Sequence, residues 1–245
     1  MAHDLVIIIG SMLSYDDKEL FQKIKNSKIA LVSVMEDPEL MDKVSLFCQY
    51  EAGSEEGVVA ILTKELLKDK DLPKDIKEYF GELDEGYISA ETNVGEEEVE
   101  ELCGMIQKSS SPLIVFGKDI FLNPRIENIS KFLNLIKKYT NIDVKYLGNL
   151  AIQSLDVEDV EELKSFDGTV VFEYKSDIDN ELLIGSVQFA VAAKLQDEQP
   201  IVVKNQNRVF RLNKKLKGTI ALMPSNIDEN SYRFEVAKIT KREVQ

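Results

Sequence analysis

Two short runs limit what this chain can fold into more than anything else in it. Asp4–Gly10 (DLVIIIG) and Leu113–Gly117 (LIVFG) are apolar, largely β-branched stretches that stop on a glycine. A strand with one wet face alternates polar and apolar residues. A strand without that alternation has to be covered on both faces, as in a parallel sheet held between helices. Ile29–Met35 (IALVSVM) is a third run of this kind and Val144–Leu147 a further strand, while Leu46–Tyr50 is too short for its pattern to assign.

Helical spacing fills the intervals. Tyr15–Asn26 places Leu20, Phe21 and Ile24 on one face, with Ser14 or Asp16 as its cap. Asp37-Pro38 opens a short helix, with aspartate as cap and proline preset at the first helical position. Ser54 with Glu55 and Glu56 opens a longer one to about Lys68, its acids at the positive end of the helix dipole. Gly95 and three glutamates start another, to about Lys108. Asn123-Pro124 starts the most regular, in which Ile126, Ile129, Phe132, Leu133, Ile136 and Tyr139 recur at helical spacing. Glu82–Asn93 reads as a loop and Val157–Ser165 as a short acidic helix.

Beyond Gly168 the pattern changes to short strands (Thr169–Tyr174, Ile201–Lys204, Arg208–Leu212, Thr219–Met223, Tyr232–Ile239), with Leu182–Leu195 read as helical. The expected fold is therefore α/β: a Rossmann-like parallel sheet with helices on both faces over residues 1–167, and a smaller β-rich, basic unit over 168–245.

Charge also inverts within this β-rich region. Of its 30 basic and 44 acidic residues, ten basic and four acidic lie from Pro200 onward, so that tail carries +6 while the first 199 residues carry −20. Such asymmetry points to a partner or an intramolecular dock for the basic part. Nucleic acid is the weaker candidate, since an acidic body repels phosphates and no aromatic–basic binding motif is present. No apolar stretch nears the roughly 20 residues that cross a bilayer, and the Met-Ala-His-Asp start lacks the features of a secretory signal, so an intracellular protein without direct membrane insertion is expected. Met1–His3 is compatible with a cloning remnant.

Candidates for chemistry are few. Cys48 and Cys103 stand 55 positions apart, outside any CxxC pair, and read as buried thiols. His3 is the single histidine, close to the chain end, and no GxSxG elbow occurs. Acidic runs such as Glu96–Glu98 and Glu158–Glu162 read as solvated helix faces. Gly10, Ser11, Gly117 and Asp119 follow buried strands at the lip where open α/β sheets bind ligands. Neither glycine belongs to GxGxxG, and no Walker motif occurs. The competing reading is a glycine that only lets the chain leave the strand tightly. In Asn205–Lys217, the residues Arg208, Arg211, Lys214, Lys215 and Lys217 suit a docking surface for an acidic partner, or else a charged sheet edge that resists aggregation.

Leu5–Ser14 (LVIIIGSMLS), Gln49–Gly57 (QYEAGSEEG), Tyr87–Leu102 (YISAETNVGEEEVEEL) and Pro112–Leu135 (PLIVFGKDIFLNPRIENISKFLNL) carry a resemblance, strongest at Pro124–Ile129. Together with Asn207–Lys214 (NRVFRLNK), they resemble one half of the large iron–sulfur subunit of bacterial NADH-quinone oxidoreductase, respiratory complex I. The half concerned is the C-terminal, molybdopterin-oxidoreductase-like one, and the likeness covers about two-thirds of the chain. That half is regarded as a scaffold that has lost its cofactor, and the cluster-binding cysteines lie in the other half. The resemblance therefore implies a non-catalytic module with no cofactor in this chain and other subunits of a respiratory complex as partners. Its implied location is cytoplasmic, peripheral to the inner membrane. The acidic body and short form depart from the family, leaving open a fragment or a shortened relative. The PLIVFG strand and its helix also resemble the central domain of thiamine-diphosphate enzymes, which implies a nucleotide- or cofactor-binding alternative at Gly10, Ser11, Gly117 and Asp119.

Overall fold

The computed structural model describes residues 3–163, 166–226 and 231–242. The chain forms two compact units, Met1–Leu163 and Lys164–Gln245. The first holds 33 acidic and 17 basic residues, a net of −16; the second holds 11 acidic and 13 basic, a net of +2. The two units thus differ in net charge, although the inversion seen in the sequence at Pro200 falls inside the second one; the boundary between the units lies a few residues earlier than expected.

The first unit is built on five parallel strands, β1 (Leu5–Ile9), β2 (Lys28–Ser33), β3 (Val44–Gln49), β4 (Pro112–Phe116) and β5 (Asp143–Tyr146), in the order β3-β2-β1-β4-β5. Of Leu46–Tyr50, unassigned from its pattern, Leu46–Gln49 belongs to the edge strand β3 and Tyr50 follows it. All five residues of β1 are buried, as its unbroken apolar run requires. Val6, Ile8, Ile29, Leu31, Leu113 and Val115 pack with Leu13, Leu20 and Ile24 of the first crossover. That crossover is two helices, α1 (Leu13–Asp16) and α2 (Lys18–Lys23), instead of one. The break is Asp17, whose extended backbone ends α1 while its carboxylate accepts Leu20 N and caps α2.

The β3–β4 crossover contains α3 (Glu55–Leu67), α4 (Lys74–Glu82), α5 (Glu85–Thr92) and α6 (Glu96–Lys108). Glu82–Asn93 is consequently not a loop. Asp84 caps α5 by accepting Tyr87 N, and Asn93 ends it in the left-handed region. After β4 come α7 (Lys118–Leu122) and α8 (Ile126–Tyr139).

Val157–Leu163 is not helical either: residues 152–163 carry no regular structure, and Lys164 and Ser165 of the expected helix lie outside the described residues. Helix side chains take two of its amides and several carbonyls of the stretch that a helix would otherwise use. Asn128 bonds both N and O of Glu158 at 2.7 and 2.8 Å, and Glu56 accepts Glu161 N at 3.1 Å. Arg125 reaches Asp159 O, and Asn134 reaches Ile152 O and Ser154 O.

The second unit is a seven-stranded mixed sheet. Its strands are β6 (Val170–Lys175), β7 (Leu182–Gly185), β8 (Gln199–Val203), β9 (Gln206–Leu212), β10 (Ile220–Ser225), β11 (Phe234–Val236) and β12 (Ile239–Lys241), ordered β11-β6-β10-β7-β9-β8-β12. Its two edge strands are consecutive in sequence, with only Ala237 and Lys238 between them. That link spans at most about 11 Å, so the sheet must curl its edges toward each other as a barrel does. Val171, Leu183, Ile201, Val203, Phe210, Ala221 and Met223 fill the interior. Lys204 and Asn205, both at positive φ, make the tight hairpin turn between β8 and β9. Leu182–Leu195, expected as one helix, divides into β7 and α9 (Val187–Ala192), because Ser186 caps α9 by accepting Phe189 N. Among the described residues no helix is long and apolar enough to cross a membrane.

Candidate functional site

In the order β3-β2-β1-β4-β5 the chain leaves β1 toward one edge and leaves β4 toward the other. The gap between their carboxyl ends is the switch point where such sheets hold ligands. All four expected residues, Gly10, Ser11, Gly117 and Asp119, are brought together there. What they form is a closed seam. Gly117 N donates to Ile9 O at 2.7 Å, and Asp119 N donates to Gly10 O at 3.0 Å. A Cβ on Gly117 would stand 2.2 Å from both Gly10 O and Ser11 Cβ. Gly10 sits at φ +64°, a backbone that favours glycine, with Ile120 and the Tyr50 hydroxyl about 3 Å from where its side chain would start. Ser11 and Asp119 are each 1% exposed. At the neighbouring exit of β5, Phe121 lies over Gly148.

Four backbone amides that could cradle a phosphate here, those of Met12, Ser14, Gly117 and Asp119, are already paired. Met12 cannot cap α1, so the carboxylates of Asp16, within α1, and of Asp37, from beyond β2, serve that end. Asp16 accepts Met12 N at 3.1 Å and Ser11 Oγ at 2.7 Å. Asp37, 0% exposed, accepts Ser14 N at 2.9 Å, Ser14 Oγ at 2.7 Å and Glu39 N at 3.2 Å. The expected Asp37-Pro38 helix is only a turn leading to the 3-10 helix Met41–Lys43. Asp37 therefore serves the β1 exit more than its own segment. Burial pushes its carboxyl above the ordinary range, against the pull of the Ser14 donors.

A second polar group, at the ends of α3 and α8, is hidden in the sequence, where Glu55 and Glu56 look like dipole-matching surface acids. Both are buried. Asn123 Nδ2 donates to Glu55 at 2.6 Å, while Asn128 Nδ2 and Arg125 Nε donate to Glu56 at 2.8 and 3.1 Å. Burial raises the Glu56 carboxyl. The one available signal was the spacing of Arg125, Asn128, Lys131 and Asn134, three apart along α8, a polar stripe on an otherwise core-facing helix. That stripe holds the 152–161 segment.

Cys48 and Cys103 are buried free thiols pushed up to about 11 and about 12 by burial, so neither is a thiolate near neutral pH. His3 lies at the amino end of the sheet, its Nδ1 3.3 Å from Ser111 O. Among the described residues no three His, Cys, Asp or Glu side chains gather as a metal site.

The basic segment does not act as one surface. Arg208 is 3% exposed, inside the second unit, where Nη1 donates to Leu182 O and Pro224 O at 2.8 Å and Nη2 donates to Gln206. It is therefore not available for docking. Arg211 is exposed but paired with Glu198 at 2.7 Å. Lys214, Lys215 and Lys217 are exposed on the β9–β10 connection. Compared with known proteins, the chain matches no family model and no curated protein.

Proposed function

We propose that this chain is a non-catalytic scaffold and docking module of a respiratory NADH-quinone oxidoreductase, similar to the pterin-type half of that enzyme's large iron–sulfur subunit. In this reading it is peripheral to the inner membrane through its partner subunits. One observation carries the absence of chemistry: the carboxyl lip is filled by the chain's own groups. An entering phosphate or pterin would have to part Gly117 from Gly10, displace Asp37 from three donors and share the site with a buried carboxylate. Each group stranded in that exchange costs about 1–3 kcal/mol, more if charged. The family assignment rests on the likeness of the quoted stretches. In the most specific of them, Arg125 and Asn128 hold a connecting segment to the body, a framework role.

A second reading, a nucleotide- or cofactor-binding domain, draws on the strand order and its two glycine exits at one switch point. Metal analysis and pterin and flavin fluorescence on the protein purified from its native host separate the two. The scaffold reading expects iron, molybdenum, pterin and flavin all far below one per chain. A stoichiometric amount of any of them overturns it.

A further inference from the structure

The second unit carries an apolar ridge beside a group of surface lysines. On α9, Val187 and Val191 lie one turn apart on the same face and are 50% and 73% exposed, while Phe189 faces the core. No charged residue occurs from Ser186 to Ala193. The loop 213–218 returns at both ends to the start of this helix: Asn213 N donates to Gly185 O at 2.8 Å, and Ser186 Oγ donates to Gly218 O at 2.5 Å. Buried Leu216 anchors the loop, and Asn213 Oδ1 accepts Lys215 N at 2.9 Å. Lys214, Lys215 and Lys217 are thus displayed at the amino end of the ridge on a fixed turn.

No acidic residue occurs between Glu198 and Asp228, where six basic ones do. Within the unit Lys204 pairs with Glu173 and Glu235, Arg208 binds buried carbonyls, and Arg211 pairs with Glu198. Lys214 and Lys215 have no ion pair among the described residues, and Lys217 is exposed beside them.

From this juxtaposition we infer that Val187, Val191, Lys214, Lys215 and Lys217 form a docking surface for an acidic amphipathic segment of another protein. That segment would lay apolar side chains on the valines and carboxylates against the lysines. The inference rests on the docking role proposed above and supplies its address. An anionic bilayer fits less well, because electrostatic membrane attachment uses about four to eight clustered basic residues and this chain carries −14 overall. A second copy is disfavoured by the same net repulsion.

The test uses the full chain and a dye-labelled peptide, Gly95–Lys108 of this sequence with Cys103→Ser, as a model acidic amphipathic helix. Fluorescence anisotropy should show saturable binding at 50 mM salt that weakens roughly tenfold at 0.5 M. The double variant Lys214→Glu/Lys215→Glu and the single variant Val191→Asp should each weaken it about tenfold or more, with melting temperatures close to wild type. A peptide with its glutamates replaced by glutamine should fail to bind. Lack of saturable binding, equal binding to the variants, preferential binding to phosphatidylglycerol vesicles, or a salt-sensitive homodimer blocked by the same substitutions would each overturn the inference. None of these would bring a cofactor into the lip, so the scaffold reading stands or falls separately on the metal and pterin analysis.

Discussion

The two ends of the five-stranded sheet solve the same problem in opposite ways. At the amino end, Asp4 lies open to solvent and gathers donors: Ser109 Oγ, Ser110 N and Oγ, and Ser111 N. These bonds, that from Ser109 foremost, hold its carboxyl well below the ordinary range. A cavity of about 450 Å³ lies beside it, lined by Asp4, Lys28, Glu100, Gly104, Met105 and Lys108 among others. At the carboxyl lip Asp37 gathers a comparable set of donors, but it is buried, and its carboxyl is pushed up. The lip has the converging amides of a binding site without the space; the amino end has space without the switch-point geometry. A fold that offers a ligand site keeps it only if its own side chains leave the donors unclaimed.

That contrast can be broken most forcefully at the glycines. Gly117→Ala places a methyl group on Gly10 O and Ser11, contacts that only backbone movement relieves, and should cost about 3 kcal/mol in urea unfolding, at the upper end of overpacking. A cost below about 1 kcal/mol would mean the lip opens easily. Asp37→Asn keeps the shape but turns an acceptor into a donor facing the Ser14 groups, and should cost about 2 kcal/mol. Gly104, on the cavity side of α6, has nothing within 4 Å of its missing Cβ. Gly104→Ala should therefore stabilise by up to about 1 kcal/mol through helix propensity.

The smallest effect carries the clearest signature. Asp4 is more acidic folded than unfolded, so its contribution is complete above the ordinary carboxylate pKa and is lost as pH falls through the folded value. Asp37 has the opposite sign: its contribution is complete below the ordinary value and declines as pH rises through the raised one. Unfolding free energies from pH 3 to 8 should show the Asp4→Asn penalty shrinking toward acid and the Asp37→Asn penalty shrinking toward neutrality. Parallel profiles would sink the contrast.

Much of this architecture was legible in the chain because burial on both faces writes itself as unbroken apolar runs. β1, β2 and β4, together with α3, α6 and α8, follow from period and punctuation. What escaped depended on partners distant in sequence. Asp37 reads as a local cap, yet its main donor, Ser14, is 23 residues away. Glu158 reads as helical, yet Asn128 claims its peptide from 30 residues away. The position of the lip was legible from Gly10 and Gly117; its closure was not, since strand-exit glycines look alike whether they face a ligand or each other. Arg208 looked like surface charge because spacing cannot reveal that Leu182 O and Pro224 O would converge on it.

The filled lip is tested most directly by thermal unfolding of the full chain with nucleotides, flavins and pterins up to millimolar concentration. A ligand held by the native state at a hundred times its Kd adds about 2.7 kcal/mol, roughly 5–10 °C for a chain of this size. The closed seam predicts a melting temperature that none of them moves. A concentration-dependent rise that Gly117→Ala abolishes would contradict it.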